Sequence, residues 1–233
     1  PDLCSSQVSA NHKQYMEELA FCFSVIPIAK HNERHLKNYW KKKKLPETLV
    51  RTVSLAGEMD HVGRNQKKIP YLPKRRNILF VSTLEPRKNH KHFLKAFCQL
   101  MEQQPQLMKQ ISLTMVGNRY AGNDEISKFV TAICKKYSNI KWLGVVEDTV
   151  LRRLYQECTF TVYPSQIEGY GMPIMESLWF GKPCLCSGQG SIGELGEPGG
   201  CCLTDVCDIE AMKHSLFRML TDEAYLIHLQ HEA

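Results

Sequence analysis

The run Tyr163-Pro164-Ser165-Gln166-Ile167-Glu168-Gly169-Tyr170-Gly171-Met172-Pro173-Ile174-Met175-Glu176-Ser177-Leu178-Trp179-Phe180-Gly181-Lys182-Pro183 compresses a strand end, a glycine loop and a helix into one stretch. Residues 159–163 are β-branched and aromatic, which predicts a buried strand stopped at Pro164. Gly169 and Gly171 permit positive φ and close approach of backbone to a ligand. Pro173 suits the first turn of a helix, where its missing N–H would be unpaired anyway. Ile174, Met175, Leu178 and Trp179 follow at helical spacing, and Gly181 before Lys182-Pro183 closes the helix. Glu168 precedes the loop and Glu176 stands one turn into the helix, so two carboxylates frame a helix start whose free N–H groups and dipole favour an anion. Taken alone, the stretch is equally a strand–loop–helix turn with two solvated glutamates.

Outward from this stretch, strands and helices alternate. Residues 78–83 read as a fully buried strand, and Phe93, Ala96, Phe97, Leu100 and Met101 fall on one face of a helix over 90–103. Strand 111–116, helix 124–137, strand 140–143 and a helix over 148–157 capped by Asp148 follow. Beyond the central loop come strand 183–187, a glycine-rich segment, strand 201–203 and helices over 209–220 and 222–229. This order predicts an α/β fold, a Rossmann-like parallel sheet with helices on both faces, whose ligands bind at the C-terminal ends of the strands. There, Arg87 and Lys88 precede a helix start, where a diphosphate would meet N–H groups and cations together. Cys184 and Cys186 alternate along their strand and face one side of the sheet.

Residues 1–70 have another character. A helix end and a strand (21–26) lead into a helix over 28–42 ending in Lys41-Lys42-Lys43-Lys44. Residues 49–55 read as a strand turning out through residues 56–60, and the basic, proline-containing residues 61–76 read as a linker. The lysine run is either a solvated helix end complementing the dipole or a peripheral contact with an anionic membrane. At 233 residues, 43% of them hydrophobic, the chain can bury a core, and its net charge of +6 is modest. No stretch is apolar enough for a membrane span, and Pro1-Asp2-Leu3-Cys4 does not begin a signal peptide; a start at proline is expected of a trimmed or fragmentary chain. Ten cysteines spread through apolar segments suit a reduced, cytoplasmic compartment better than a disulfide framework. Cys201, Cys202, Cys207 and His214 match no zinc spacing, so no metal is expected. Nucleic-acid binding lacks aromatics interleaved with the cations.

Glu-x7-Glu enclosing Gly-x-Gly-x-Pro, together with Thr83-Leu84-Glu85-Pro86-Arg87-Lys88-Asn89, resembles the retaining nucleotide-sugar glycosyltransferases of the GT-B class called family 4. The resemblance spans about residues 77–225. It implies a donor-binding Rossmann-like domain over 71–233, preceded by a truncated remnant of the acceptor-side domain over 1–70. It implies that Glu168 touches the donor sugar and Glu176 the ribose, with Lys88 and Arg87 on the diphosphate. Thr83 stands where many members carry an arginine, and Ser82 replaces the usual glycine. The loops holding Gly117 and Val145 would line the nucleobase, and Gly169, Tyr170, Gly171, Met172, Pro173 and Ile174 would wrap the donor. The ligands implied are a nucleotide sugar, with GDP-mannose favoured over UDP sugars, and a glycan or lipid-linked acceptor of polysaccharide synthesis. No cofactor or metal is expected, since no Asp-x-Asp is present. The alternative is a nucleotide-sugar-binding regulatory or scaffolding module without turnover of its own.

Overall fold

The computed structural model describes residues 6–57, 63–64, 75–120 and 124–233. Its main body is a six-stranded, wholly parallel sheet of order β5-β4-β3-β6-β7-β8. The strands are β3 (Arg76–Val81), β4 (Ile111–Val116), β5 (Ile140–Trp142), β6 (Phe160–Tyr163), β7 (Cys184–Ser187) and β8 (Cys201–Thr204). Parallel neighbours require long crossovers. Those connections hold α3 (His90–Gln103), the short α4 (Pro105–Met108), α5 (Asp124–Lys136), α6 (Asp148–Glu157), α7 (Met172–Trp179) and α8 (Gly190–Gly196). After β8, α9 (Ile209–Thr221) and α10 (Glu223–Glu232) close the chain, and the Asp208 and Asp222 side chains accept backbone N–H bonds as their N-caps.

Alternation along the strands divides the core in two. Ile78, Phe80, Leu113, Met115, Phe160, Val162 and Leu185 pack against Phe93, Phe97 and Leu100 of α3 and Met212, Leu216 and Met219 of α9. On the other side, Leu79 and Val116 meet Tyr155 and Phe180, while Tyr163, Cys184 and Cys186 meet Ile174 and Ile192. Each such aliphatic or aromatic side chain stabilises the fold by roughly 1.5–3 kcal/mol on burial. Arg76, in the stretch read as linker, is instead the first residue of β3. Its buried guanidinium donates to the Leu220 and Met219 carbonyls and meets the Glu223 carboxylate at 3.3 Å.

The N-terminal segment forms α1 (Ser6–Glu18), β1 (Ser24–Val25), α2 (Lys30–Lys43) and β2 (Leu49–Val50) around Trp40, whose indole N–H donates to the Met16 carbonyl at 2.7 Å. Here several sequence expectations need correction. The strands expected over 21–26 and 49–55 shrink to two-residue pieces that pair only with each other, because no further strand is present among the described residues to cover Phe21, Phe23 and Ile26, which stay exposed. The helix expected from residue 28 begins at Lys30. Within the turn over 56–60, residues 58–60 lie outside the described residues, as does most of the linker. Asp148 is the first residue of α6, and Glu147 occupies the cap position without a side-chain bond. The glycine-rich segment after β7 forms α8, in which only Gly190, at its start, has a positive φ.

Gly117, which follows β4, adopts φ +143° beside β3, where a Cβ would stand 1.9 Å from the Ser82 carbonyl oxygen. Both the dihedral and the contact exclude a side chain. Gly117→Ala should destabilise the protein by about 3 kcal/mol, positive-φ strain and overpacking acting together. Urea unfolding would register this as a lower midpoint at unchanged slope.

Candidate functional site

The site grows from two connections. After β3 the chain makes a tight 3₁₀ turn at Pro86–Lys88 and reverses at Asn89, whose φ of +64° is left-handed. Asn89 sustains this conformation by donating through Nδ2 to the Val206 carbonyl at 2.7 Å and meeting His92 Nδ1 at 2.6 Å through Oδ1. The turn aims Lys88 beneath the end of β6, where its ammonium donates to Tyr163 Oη at 2.8 Å and to Glu168 Oε1 at 2.6 Å. Arg87 Nη1 stands 2.7 Å from Glu168 Oε2 while its Nε donates to Glu85 at 2.7 Å. Ser165 Oγ adds a third donor to Glu168, at 2.7 Å. The Lys88 and Glu168 side chains are only 11% and 10% exposed, so their pairing is close to obligatory.

Burial works against the charged form of Glu168, but the hydrogen bonds from Lys88 and Ser165 and the neighbouring positive charges outweigh it and hold the carboxyl below its usual range. Burial and the Glu168 charge push the Tyr163 phenol upward, so it remains a neutral donor. His90 lies behind this cluster, stacked on Phe80 with centroids 4.3 Å apart and with Nε2 3.2 Å from Ser82 Oγ. Burial and the Lys88 charge push its pKa down to about 3, so the imidazole stays uncharged at ordinary pH.

The second connection joins β6 to α7. Of its two central glycines, only Gly171 has positive φ, +128°, and its carbonyl accepts the Ile174 N–H at 3.0 Å as the helix begins. Thr161 and Ser177 hydroxyls, 2.6 Å apart, tie α7 to β6, and Ser177 donates onward to the Lys182 carbonyl. This fixes Glu176, whose Oε2 accepts the Tyr155 hydroxyl at 2.6 Å. Tyr155 is fully buried and stacked on Phe180 at 5.2 Å, which makes its O–H a rigid donor. Burial, with the Glu176 charge next, raises its pKa well above normal.

Between the two connections lies a cleft of about 540 Å³. Its lining includes Thr83, Lys88, Gly117, Glu168, Tyr170, Gly171, Met172, Pro173 and Glu176, with Ile28 and Leu55 from the N-terminal segment. Four other residues singled out in the sequence lie off this lining. Arg87 joins through Glu168, Gly169 turns its carbonyl toward Asn32 of α2, Ile174 is buried in the core, and Val145 is 72% exposed on its loop. Tyr155 was not visible as a site residue, because in α6 it reads as one more member of the apolar stripe with Leu151 and Leu154. Among the described residues no cluster of three His, Cys, Asp or Glu could hold a metal ion, and no helix is long and apolar enough to cross a membrane.

Lys88 and Arg87 are balanced by Glu168 and Glu85, so the cluster is a set of fixed ion pairs. The cleft lining thus offers one cation, Lys88, and two carboxylate acceptors, Glu168 and Glu176, which suits a ligand with both an anionic group and hydroxyls. Residues 63–233 match the family model described as glycosyl transferases group 1. The O-antigen chain mannosyltransferase B of Escherichia coli is 30% identical over 186 residues, 77% of this chain and 48% of the relative. An α,α-trehalose-phosphate synthase (UDP-forming) from Burkholderia vietnamiensis superposes with a TM-score of 0.79 at 13% identity, covering 97% of this chain and 57% of that one. HepE from Anabaena, solved with UDP and glucose, gives 0.75 at 16% identity, covering 99% and 62%. The chain thus spans about half the length of its mannosyltransferase relative.

The depressed Glu168 titration has a stability consequence. A carboxyl whose folded pKa lies below its unfolded value of about 4.3 contributes stability above that value and loses it as pH falls through the folded pKa. Melting temperatures from pH 7 to pH 3 should therefore show Glu168→Gln less stable than the parent near neutrality, with the gap closing below about pH 4. A constant gap would contradict the assignment.

Proposed function

This chain belongs to the glycosyl transferases group 1 family, and we propose on that premise that it is the donor-binding half of a retaining hexosyltransferase of the family 4 type. The observation that carries the reading is the meeting of Lys88, Glu168 and Glu176 around one cleft at the C-terminal ends of parallel strands. In this reading residues 71–233 form the donor domain and residues 1–70 are a remnant of the acceptor-side domain. A nucleoside diphosphate sugar lies with its ribose hydroxyls on Glu176, its diphosphate between Lys88 and the start of α7, and its sugar beside Glu168. Transfer breaks the bond from the anomeric carbon to the diphosphate oxygen and forms one to an acceptor hydroxyl oxygen with the configuration kept, the hydroxyl proton passing to the departing diphosphate. The departing oxygen carries negative charge, and Lys88 and Arg87 answer it with charges already in place, the form of stabilisation that contributes most in dry sites. No metal takes part in this scheme, since the two side chains supply the cationic field.

A mannosyltransferase relative makes mannose the sugar we favour, with GDP-mannose as the proposed donor, and UDP in the HepE structure keeps uridine nucleotides in the comparison. The acceptor in this reading is a glycan or lipid-linked saccharide, and the Lys41–Lys44 run is a candidate contact with an anionic membrane, in a cytoplasmic setting.

A thermal-shift panel of nucleoside diphosphates tests the proposal directly. GDP or UDP at millimolar concentration should raise the melting temperature, because a ligand of the folded state stabilises it by mass action; no shift across the panel counts against a donor site. Lys88→Ala should cost the diphosphate roughly 1.5–3 kcal/mol of affinity, as expected for a charge-assisted bond, and spare the nucleoside.

The two glutamates should separate by ligand. Calorimetry should find that Glu176→Ala weakens every nucleotide, sugar-bearing or not, while Glu168→Ala chiefly weakens the intact nucleotide sugar. The reverse pattern would show that the roles are exchanged.

A further inference from the structure

The loop that carries Glu168 is held from outside the cleft by a closed circuit of hydrogen bonds. Ser191 Oγ, on α8, donates to the Glu168 carbonyl at 2.6 Å. One turn along α8, Glu194 reaches α2, its Oε1 accepting the Lys30 N–H at 2.8 Å and its Oε2 accepting the His31 N–H at 2.7 Å. Helix α2 needs that cap: its own N-cap residue is Ala29, which has no side-chain acceptor to offer the first-turn amides. The next residue of α2, Asn32, then closes the circuit by donating through Nδ2 to the Gly169 carbonyl at 2.7 Å. Beside it, Tyr170 Oη donates to the Leu55 carbonyl at 3.1 Å.

The two peptide groups on the C-terminal side of Glu168 are therefore fixed by separate elements, one by α8 and one by α2. Gly169 has no side chain to pack, so those carbonyl bonds are the main restraint on its backbone. Glu194 does not line the cleft, and its two carboxylate oxygens are both taken up by the start of α2. We propose that Asn32 is a positioning residue for the donor loop and that Glu194, by capping α2, holds Asn32 in place. The N-terminal segment is thereby coupled to the sugar end of the donor rather than to its nucleotide end. The inference rests on the donor reading for its ligand but not for its mechanical part.

The test uses the whole chain with Asn32→Ala and Glu194→Gln, read by amide hydrogen exchange without ligand and by calorimetry with GDP and GDP-mannose. Asn32→Ala should speed exchange at the Ile174 amide, which bonds the Gly171 carbonyl where the loop enters α7, and weaken GDP-mannose about three- to ten-fold, the range of one neutral hydrogen bond, with GDP changed less than two-fold. Glu194→Gln should speed exchange at Lys30 and His31 and reproduce the same selective loss. Because Asn32 is only partly buried, Asn32→Ala retains the fold and keeps the test standing if Glu194→Gln does not fold. Unchanged exchange at Ile174 in Asn32→Ala, or equal losses for the two ligands, would overturn the proposal. If neither ligand binds the parent, the donor reading fails by itself, and exchange alone decides whether Asn32 restrains the loop.

Discussion

A nearly buried ammonium group cannot be left without a counter-charge, and much of the site follows from that requirement at Lys88. Its partner, Glu168, is 80 positions away in the chain, so the β3–α3 and β6–α7 connections can only be placed together. An unpaired charge at this depth would cost several kcal/mol, comparable with the net stability of a whole domain. The parallel sheet supplies the geometry. With every strand running the same way, both connections emerge at the same end, and the ion cluster closes the gap between them.

Around that cluster, uncharged contacts do the aligning. Gly117 lets two strand exits approach at backbone distance, and Gly171 bends the chain into α7 so that Glu176 faces the cleft. The buried Tyr155 hydroxyl and the Thr161–Ser177 pair keep that helix in register with the sheet. Arg87 serves two carboxylates, Glu85 and Glu168, so Lys88 and Glu168 are held in a fixed frame of ion pairs. In the proposed function this is preorganisation: the field exists before the ligand arrives.

The N-terminal segment attaches differently. Its apolar centre around Trp40 is small and separate from the sheet's core, and its contacts with the loop and α8 are hydrogen bonds at the ends of side chains. Such contacts specify orientation more than they add stability, since each nets only about 1 kcal/mol. They suit an element whose position is to be sensed by the loop.

The sheet and its helices were legible because their causes are local. Helices α3 and α6 and strand β4 have the bounds read from apolar periodicity, and the β6–α7 loop announces itself through its glycines, Pro173 and flanking glutamates. The glycine-rich segment after β7 is assigned no element from sequence, and there burial of Ile192 and packing against β7 and β8 overrule the weak helix propensity of glycine. The short strands β1 and β2 misled: their composition favours strand, but strand length is set by partners. The sequence by itself determined the alternating strands and helices of the sheet from β3 to β7 and that carboxylates and cations gather at one end of it, because both depend on residues near one another in the chain. Only the tertiary structure decided that Lys88 pairs with Glu168, Tyr155 with Glu176, and Glu194 with the start of α2, because each bond satisfies a polar group that burial or a helix end has cut off from water, and distant sequence cannot say where that will happen.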